Sequence, residues 1–84
     1  MTKHIIYERE IPLDDERLGL RLYRGKVGLL LERYLVQGDQ LSLVQVLPVS
    51  SREELQRFVL SDPHRQELAV LYDEVLKRSG FALA

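Results

Sequence analysis

Apolar and polar residues alternate over most of the first half of the chain, and this pattern predicts β-strands. The most informative segment is 40–49, which alternates as Leu41, Ser42, Leu43 and then becomes apolar at most of its remaining positions. A strand that is buried on one face keeps its alternation, whereas a strand that is apolar on both faces is expected to be covered on both. We therefore expect both faces of the sheet to be covered at this strand.

The sequence predicts strands over 3–11, 18–24, 26–37 and 40–49. Gly25 is expected to supply a positive φ between the second and third strands, and Gly38 with Asp39 suits a two-residue primed turn. Segment 12–17 has the composition of a loop. Segment 27–37 also fits a helical stripe, so helix remains the alternative there, but the turn that follows favours a strand.

The last third of the chain predicts two helices. Ser51 and Glu54 have the spacing of a capping box, which predicts a helix over 51–60. Pro63 interrupts this helix and can open another, with Asp62 as its cap, so a second helix is predicted over 63–79. The chain is thus expected to be a single α+β domain, 1–84, in which an antiparallel sheet of about four strands carries a C-terminal helical hairpin on one face.

Composition excludes several classes of function. The chain has 84 residues, of which 45% are apolar and 30% charged, as in ordinary globular domains, and it has no cysteine. Disulfides, thiolate catalysis and cysteine metal sites are therefore excluded. The N-terminal segment has no apolar run of signal length, and no segment approaches the roughly 20 apolar residues of a membrane span, so we expect a soluble cytoplasmic protein.

Charge is distributed unevenly along the chain. Segment 17–33 contains five basic residues and one acidic residue, whereas segment 1–16 contains five acidic and two basic residues. In an antiparallel sheet, an acidic and a basic strand that lie side by side can neutralise each other across the ladder. We expect this arrangement, with a nucleic-acid surface on 17–33 as the alternative.

The sequence contains no recognisable catalytic, cofactor-binding or metal-binding motif. His4 and His64 are too far apart in sequence for a local metal motif, and neighbouring carboxylates such as Glu53 and Glu54 point in different directions. We predict no catalytic residue, no cofactor and no metal. The residues that could contact a ligand or partner are Arg21, Tyr23, Arg24, Arg33, Tyr34 and His64.

The run from Leu43 to Leu55, together with Phe58 and Ser61 to Arg65, resembles the strand, serine-capped helix and second turn of small dimeric α+β barrel (ferredoxin-like) proteins. The resemblance implies a dimer that binds a small organic ligand between sheet and helices, and the family includes monooxygenases and isomerases. The chain departs from the family because strands 3–11 and 18–24 leave no room for its first helix. No clear strand follows the last helix either, so no catalytic residue is carried over.

These observations favour a small non-enzymatic interaction or accessory protein that acts as a homodimer or as a small subunit of an assembly. The alternatives are a ligand-binding protein or cofactor-free enzyme of the barrel type, and a nucleic-acid binder. A dimer is expected because two short helices cover only one sheet face. The alternation places Leu29, Leu31, Val44 and Val46 on one face and Leu30, Leu41, Leu43 and Leu47 on the other.

Overall fold

The computed structural model describes residues 4–26 and 28–81, and four antiparallel strands in it form one sheet. The strands are β1 (His4–Leu13), β2 (Glu16–Gly25), β3 (Gly28–Gln37) and β4 (Gln40–Val49), and they lie in this order across the sheet. Two helices follow, α1 (Arg52–Leu60) and α2 (Ala69–Ser79). The predicted α+β fold is confirmed, and β3 is a strand and not the alternative helix. Lys3 and Val27, which the predicted strands included, lie outside the described residues.

The strands are joined by turns tighter than the sequence suggests. Leu13 pairs with Glu16, so only Asp14 and Asp15 form the first turn, and the prediction of a loop over 12–17 is wrong. Asp14 adopts a φ of 55°, a conformation that Asp tolerates better than most residues. Pro12 is accommodated in β1 because this strand lies at an edge of the sheet, where a missing N–H is tolerated.

The two glycine turns were predicted with different success. Gln37 pairs with Gln40, so Gly38 and Asp39 form a two-residue turn, and Gly38 has the positive φ of 60° that a primed turn requires. Between β2 and β3 the positive φ of 127° belongs to Gly28, and the prediction that Gly25 supplies it is wrong.

The helices cover one face of the sheet, which we call the helix face. Successive residues of a strand point to opposite faces, so Leu18, Leu20 and Leu22 of β2 lie on the helix face. The opposite face carries Gly19 and Arg21, and we call it the open face because no described element packs on it. The core between sheet and helices comprises Tyr7, Leu18, Leu20, Leu22, Leu31, Val49, Leu55, Phe58, Leu68, Leu71, Tyr72 and Val75.

Helix α1 begins as predicted, with a variation in its cap. The Ser51 hydroxyl accepts a hydrogen bond from the Glu54 N–H at 3.2 Å. The Glu54 carboxylate accepts from the N–H and the hydroxyl of Ser50, at 2.6 and 2.7 Å, one residue before the position a capping box uses. These hydrogen bonds, the Ser50 hydroxyl first, lower the pKa of Glu54 below its usual range.

Helix α2 begins at Ala69, and the prediction that it begins at residue 63 is wrong. Asp62 does accept from the His64 N–H at 2.8 Å, as a cap would. The hydrogen bonds from the Arg65 N–H to the Asp62 carbonyl and from the Ala69 N–H to the Gln66 carbonyl each span three residues. The Leu68 N–H donates to the His64 carbonyl four residues earlier, so the segment mixes tight and α-type spacings, and residues 63–68 form a series of turns and not a continuous α-helix.

The predicted faces of Leu41 and Leu43 in β4 are confirmed, but those of Val46 and Leu47 are wrong. Arg33 pairs with Gln45 and Tyr34 pairs with Leu43, which leaves Val44 as an extra residue in a β-bulge. The bulge breaks the alternation, so Leu47, the partner of Leu31, lies on the helix face. The open face instead carries Val46, the partner of Glu32, together with Leu41, Leu43, Leu30 and Pro48.

Candidate functional site

Arg21 is the centre of a polar network on the open face. The register aligns Glu8, Arg21 and Glu32 on three neighbouring strands, so their side chains lie in one row. Arg21 Nε lies 2.7 Å from Glu8 Oε2, and Arg21 Nη1 lies 3.2 Å from Glu32 Oε1. Arg21 Nη1 also donates to the Tyr23 hydroxyl at 3.1 Å, and the guanidinium lies over the Tyr34 ring, 4.7 Å from its centroid. This geometry combines charge pairing with a cation–π contact.

Two groups of the network, Arg21 and Tyr34, have raised pKa values. Burial lowers the pKa of Arg21, but hydrogen bonds to Tyr23 and Glu8 outweigh burial and raise the pKa above its ordinary value. Burial and the hydrogen bond that the Tyr34 hydroxyl donates to Glu10 at 3.1 Å raise the pKa of Tyr34 to about 12. Arg21 and Tyr34 therefore do not exchange protons near pH 7, which is the opposite of what general acid–base catalysis requires.

A second polar cluster lies on the helix face, where β3 meets the connection between the helices. Arg33 Nε lies 2.7 Å from Asp62 Oδ2, and both side chains are buried. Arg33 Nη1 donates to the Tyr34 carbonyl at 2.9 Å, and Nη2 lies 3.2 Å from His64 Nδ1. The Tyr72 hydroxyl donates to Asp62 Oδ2 at 2.6 Å. This cluster fixes the turns of residues 63–68 to the sheet.

The pKa values of Asp62 and Tyr72 in this cluster are shifted. Burial raises the pKa of Asp62, but hydrogen bonds from Arg33, Tyr72 and the His64 N–H together outweigh burial, and the pKa lies below its usual range. Burial and the hydrogen bond to Asp62 raise the pKa of Tyr72. Among the described residues, every buried side-chain nitrogen and oxygen has a hydrogen-bond partner, so both clusters are internally satisfied.

The six residues singled out from the sequence do not form one site. Arg21, Tyr23 and Tyr34 meet on the open face, whereas Arg33 and His64 meet on the helix face. Arg24 is exposed near the end of β2, where it pairs with Leu29. The predicted ligand site is therefore divided by the sheet. Sequence reasoning also missed Asp62 as the partner of Arg33, since the two residues are far apart in the chain.

The expected neutralisation across the ladder is confirmed for two pairs. Glu8 lies opposite Arg21 and pairs with it, and Arg17 Nε lies 3.6 Å from Glu10 Oε1. Arg33 is buried on the other side of the sheet. The basic residues of 17–33 thus do not form the continuous exposed face that a nucleic-acid surface requires.

Most of the large apolar side chains that are exposed in the described residues belong to the edge strand β4. Its exposed large apolar side chains define what we call the β4 surface: Leu41, Leu43, Val44, Val46 and Leu47, which are 37–54% exposed. Gln40–Val49 contains no charged residue. The other edge strand, β1, carries Glu8, Arg9 and Glu10. The apolar pattern of segment 40–49 was visible in the sequence, but its exposure follows from the edge position.

Two surface grooves flank helix α1. A groove of about 420 Å³ lies between α1 and α2 and is lined mainly by apolar side chains, with Arg52 and Arg65 among its charged residues. A second groove, of about 410 Å³, lies between α1 and β4 and is lined by residues that include Leu47 and Phe58. No group of three or more histidine, aspartate or glutamate side chains in the described part of the chain is placed to hold a metal ion. No described helix is long and apolar enough to cross a membrane.

Comparison with known proteins assigns no relatives: no family model matches the chain, and searches of curated proteins and of solved structures found no significant similarity.

Proposed function

We propose that this chain is a non-enzymatic interaction module that works as a homodimer and associates through the β4 surface. The observation that carries the proposal is the exposure of five large apolar side chains on a strand without charge. Contiguous exposed apolar patches mark interaction sites, whereas single exposed apolar residues are normal in soluble proteins.

The energetics of a small domain support association. Burying apolar surface contributes about 25 cal/mol per Å², and stable interfaces bury about 800 Å² on each partner. A domain of this size has a modest core and no disulfide, so the gain from covering the β4 surface is a large fraction of its stability. The absence of charged residues from β4 is what we expect of a surface that is buried by association.

The polar clusters support a structural role over catalysis. Active sites commonly hold a group with a pKa near neutrality or a polar atom left available for substrate. Asp62 and Tyr34 are instead shifted away from neutrality, and their partners belong to the fold. The two clusters connect the strands to each other and to the helix connection, as a scaffold for the β4 surface requires.

A ligand-binding protein is the second candidate function, and the groove between α1 and α2 favours it. The groove is of the size that small ligands occupy, and its lining combines apolar side chains with Arg52, Arg65 and Asp73, which suits a largely apolar molecule that carries a polar group. Native mass spectrometry of the protein purified from its own host tests this candidate. A co-purifying small molecule that is lost in an Ala69→Trp variant, which fills the groove, would support this candidate. A mass equal to one or two chains with nothing bound would exclude it.

Light scattering and sedimentation at tens of micromolar test the homodimer. We expect a mass near twice the 9.8 kDa of the chain. Leu43→Lys places a charge in the β4 surface and should yield a monomer with an unchanged far-ultraviolet circular dichroism spectrum. Val70→Lys is the matched control, since Val70 is 67% exposed on α2, away from β4. A wild-type mass of 9.8 kDa would overturn the proposal.

A further inference from the structure

We infer that two copies of this chain join edge to edge, with their β4 strands paired antiparallel about a twofold axis, so that two four-stranded sheets become one continuous sheet. This inference rests on the proposed homodimer and specifies its geometry. In this geometry, β4 of a second chain occupies the exposed edge of β4. Three observations on the described residues carry it.

The first observation is that the β4 surface is exposed on both faces of the sheet. Leu43 and Val46 lie on the open face, whereas Leu47 lies on the helix face and is 42% exposed. A partner packed on the open face would cover Leu43 and Val46 and leave Leu47 in water. A strand added beside β4 contacts the side chains of both faces, because its own side chains alternate between them.

The second observation is the difference between the two edges of the sheet. Natural edge strands avoid pairing with other chains through charged side chains and proline. The β1 edge has Glu8, Arg9, Glu10 and Pro12, whereas the β4 edge has no charge. Its Pro48 lies near the end of the strand, so in a twofold antiparallel pair the two copies of Pro48 would limit pairing at the two ends of the seam and leave its centre free. The protection that β1 carries is absent from most of β4.

The third observation is the groove between α1 and β4. This opening of about 410 Å³ lies on the helix face beside the edge and is lined by residues that include Leu47, Val49 and Phe58. A strand that extends the sheet past β4 places its helix-face side chains next to this groove. Leu47, Val49 and Phe58 belong to the apolar part of this lining, which also contains the charged side chains of Glu54 and Arg57. Apolar side chains of a second β4 would contact the apolar part and remove Leu47 from water.

A second copy fits the edge better than a strand with charged residues. Antiparallel pairing of β4 with itself places apolar residues beside apolar residues, and it brings no like charges opposite one another. Packing two open faces together would bury the carboxylate of Glu8, whose side chain is 44% exposed, at a cost in desolvation. The bulge at Val44 increases the local twist, so we expect the joined sheet to twist strongly at the seam.

Amide hydrogen exchange of the wild-type protein, Leu43→Lys and Val70→Lys at the same concentration tests the geometry. In the edge-to-edge dimer, the outward-pointing amides of β4 gain hydrogen bonds, so they should exchange about tenfold or more slowly in wild type and Val70→Lys than in monomeric Leu43→Lys. The amides of β1 should exchange at equal rates in all variants. Equal β4 exchange in dimeric and monomeric variants would overturn the edge pairing and leave the homodimer intact.

A distance measurement separates the two possible failures further. The chain has no cysteine, so Ser42→Cys, at an exposed position of β4, provides a unique site for a spin label. Edge pairing places the two labels across one seam and predicts a single intermolecular distance, with none in the Leu43→Lys background. A dimer that shows neither β4 protection nor the single label distance would overturn the edge pairing alone, and a monomeric wild-type protein would overturn the homodimer itself.

Discussion

The ring of Tyr34 occupies the space that a side chain at Gly19 would fill. The two residues pair across β2 and β3, and a Cβ atom built on Gly19 would lie 2.2 Å from Cζ of Tyr34. Glycine at this position therefore allows the ring to lie on the neighbouring strand, beneath the guanidinium of Arg21. An aromatic ring that covers a glycine on a neighbouring strand is a recognised way to pin strand register.

We expect Gly19→Ala to lower the free energy of unfolding by about 1–3 kcal/mol, because the added methyl group and the Tyr34 ring cannot share the space. Gly25→Ala is the control, since the nearest atom to its Cβ lies at 3.7 Å and its φ is not positive. Urea unfolding of the two variants measures the difference. In a Tyr34→Ala background the cost of Gly19→Ala should disappear, and an undiminished cost would contradict the assigned contact.

Asp62→Ala should destabilise the protein by about 3–5 kcal/mol, because it leaves the buried guanidinium of Arg33 without its carboxylate. Asp73→Ala breaks the ion pair of Asp73 with Lys77, at 3.2 Å on the surface of α2, and should cost less than about 0.5 kcal/mol. His64→Ala removes a contact with Arg33 Nη2, which keeps Asp62 Oδ1 at 3.4 Å, and should cost an intermediate amount of about 0.5–1.5 kcal/mol. Thermal melts rank the three variants, and similar melting temperatures for Asp62→Ala and Asp73→Ala would refute the role of the buried pair.

Leu71→Ala should cost about 2–4 kcal/mol, since Leu71 is buried between α2 and the sheet. The adjacent residue provides the control: Val70 is exposed, and Val70→Ala should change the free energy of unfolding by no more than about 0.5 kcal/mol. Chemical denaturation of both variants checks the assignment. Equal destabilisation by the two substitutions would mean that α2 packs with a different face.

Stability should decline at alkaline pH as Tyr34 ionises. The pKa of Tyr34 is about 12 in the folded protein against 10.0 for the unperturbed group. A raised pKa contributes stability that is complete below pH 10 and is lost as the pH rises toward 12. Tyr34→Phe should therefore show a smaller loss of unfolding free energy between pH 10 and 12 than wild type. An unchanged slope would show that the pKa of Tyr34 is not raised on folding.

The fold followed from the sequence where local chemistry decided it. The Gly38 turn, the Ser51 cap and the four strands each depend on residues close together in the chain, and all were predicted. The faces of Val46 and Leu47 were mistaken because the bulge at Val44 arises from pairing with β3, which leaves no mark in the sequence of β4 alone. The onset of α2 was mistaken because residues 63–68 form turns after Asp62, although Asp62 accepts from the His64 N–H as a helix cap would.

The candidate site was less predictable than the fold. Arg21, Tyr23 and Tyr34 could be selected from the sequence as arginine and tyrosine residues on predicted strands. The face of the sheet that each side chain occupies depends on strand register. Arg21 on β2 pairs with Glu32 on β3. Arg33 follows Glu32 on the same strand, so its side chain points to the opposite face of the sheet. The β4 surface was visible as an apolar pattern, yet its exposure depends on β4 being an edge strand, which is a property of the topology.

The contact between Tyr7 and Glu74 has a consequence for the order in which the chain folds. Each strand pairs with its neighbour in sequence through local hairpins, which form early, but the Tyr7 hydroxyl donates to a carboxylate 67 residues later. The helix face of β1 and β2 therefore stays uncovered until α2 has been synthesised and has docked. During translation the strands emerge as an incomplete, aggregation-prone intermediate, and chaperone binding to the nascent chain should end only when α2 leaves the ribosome.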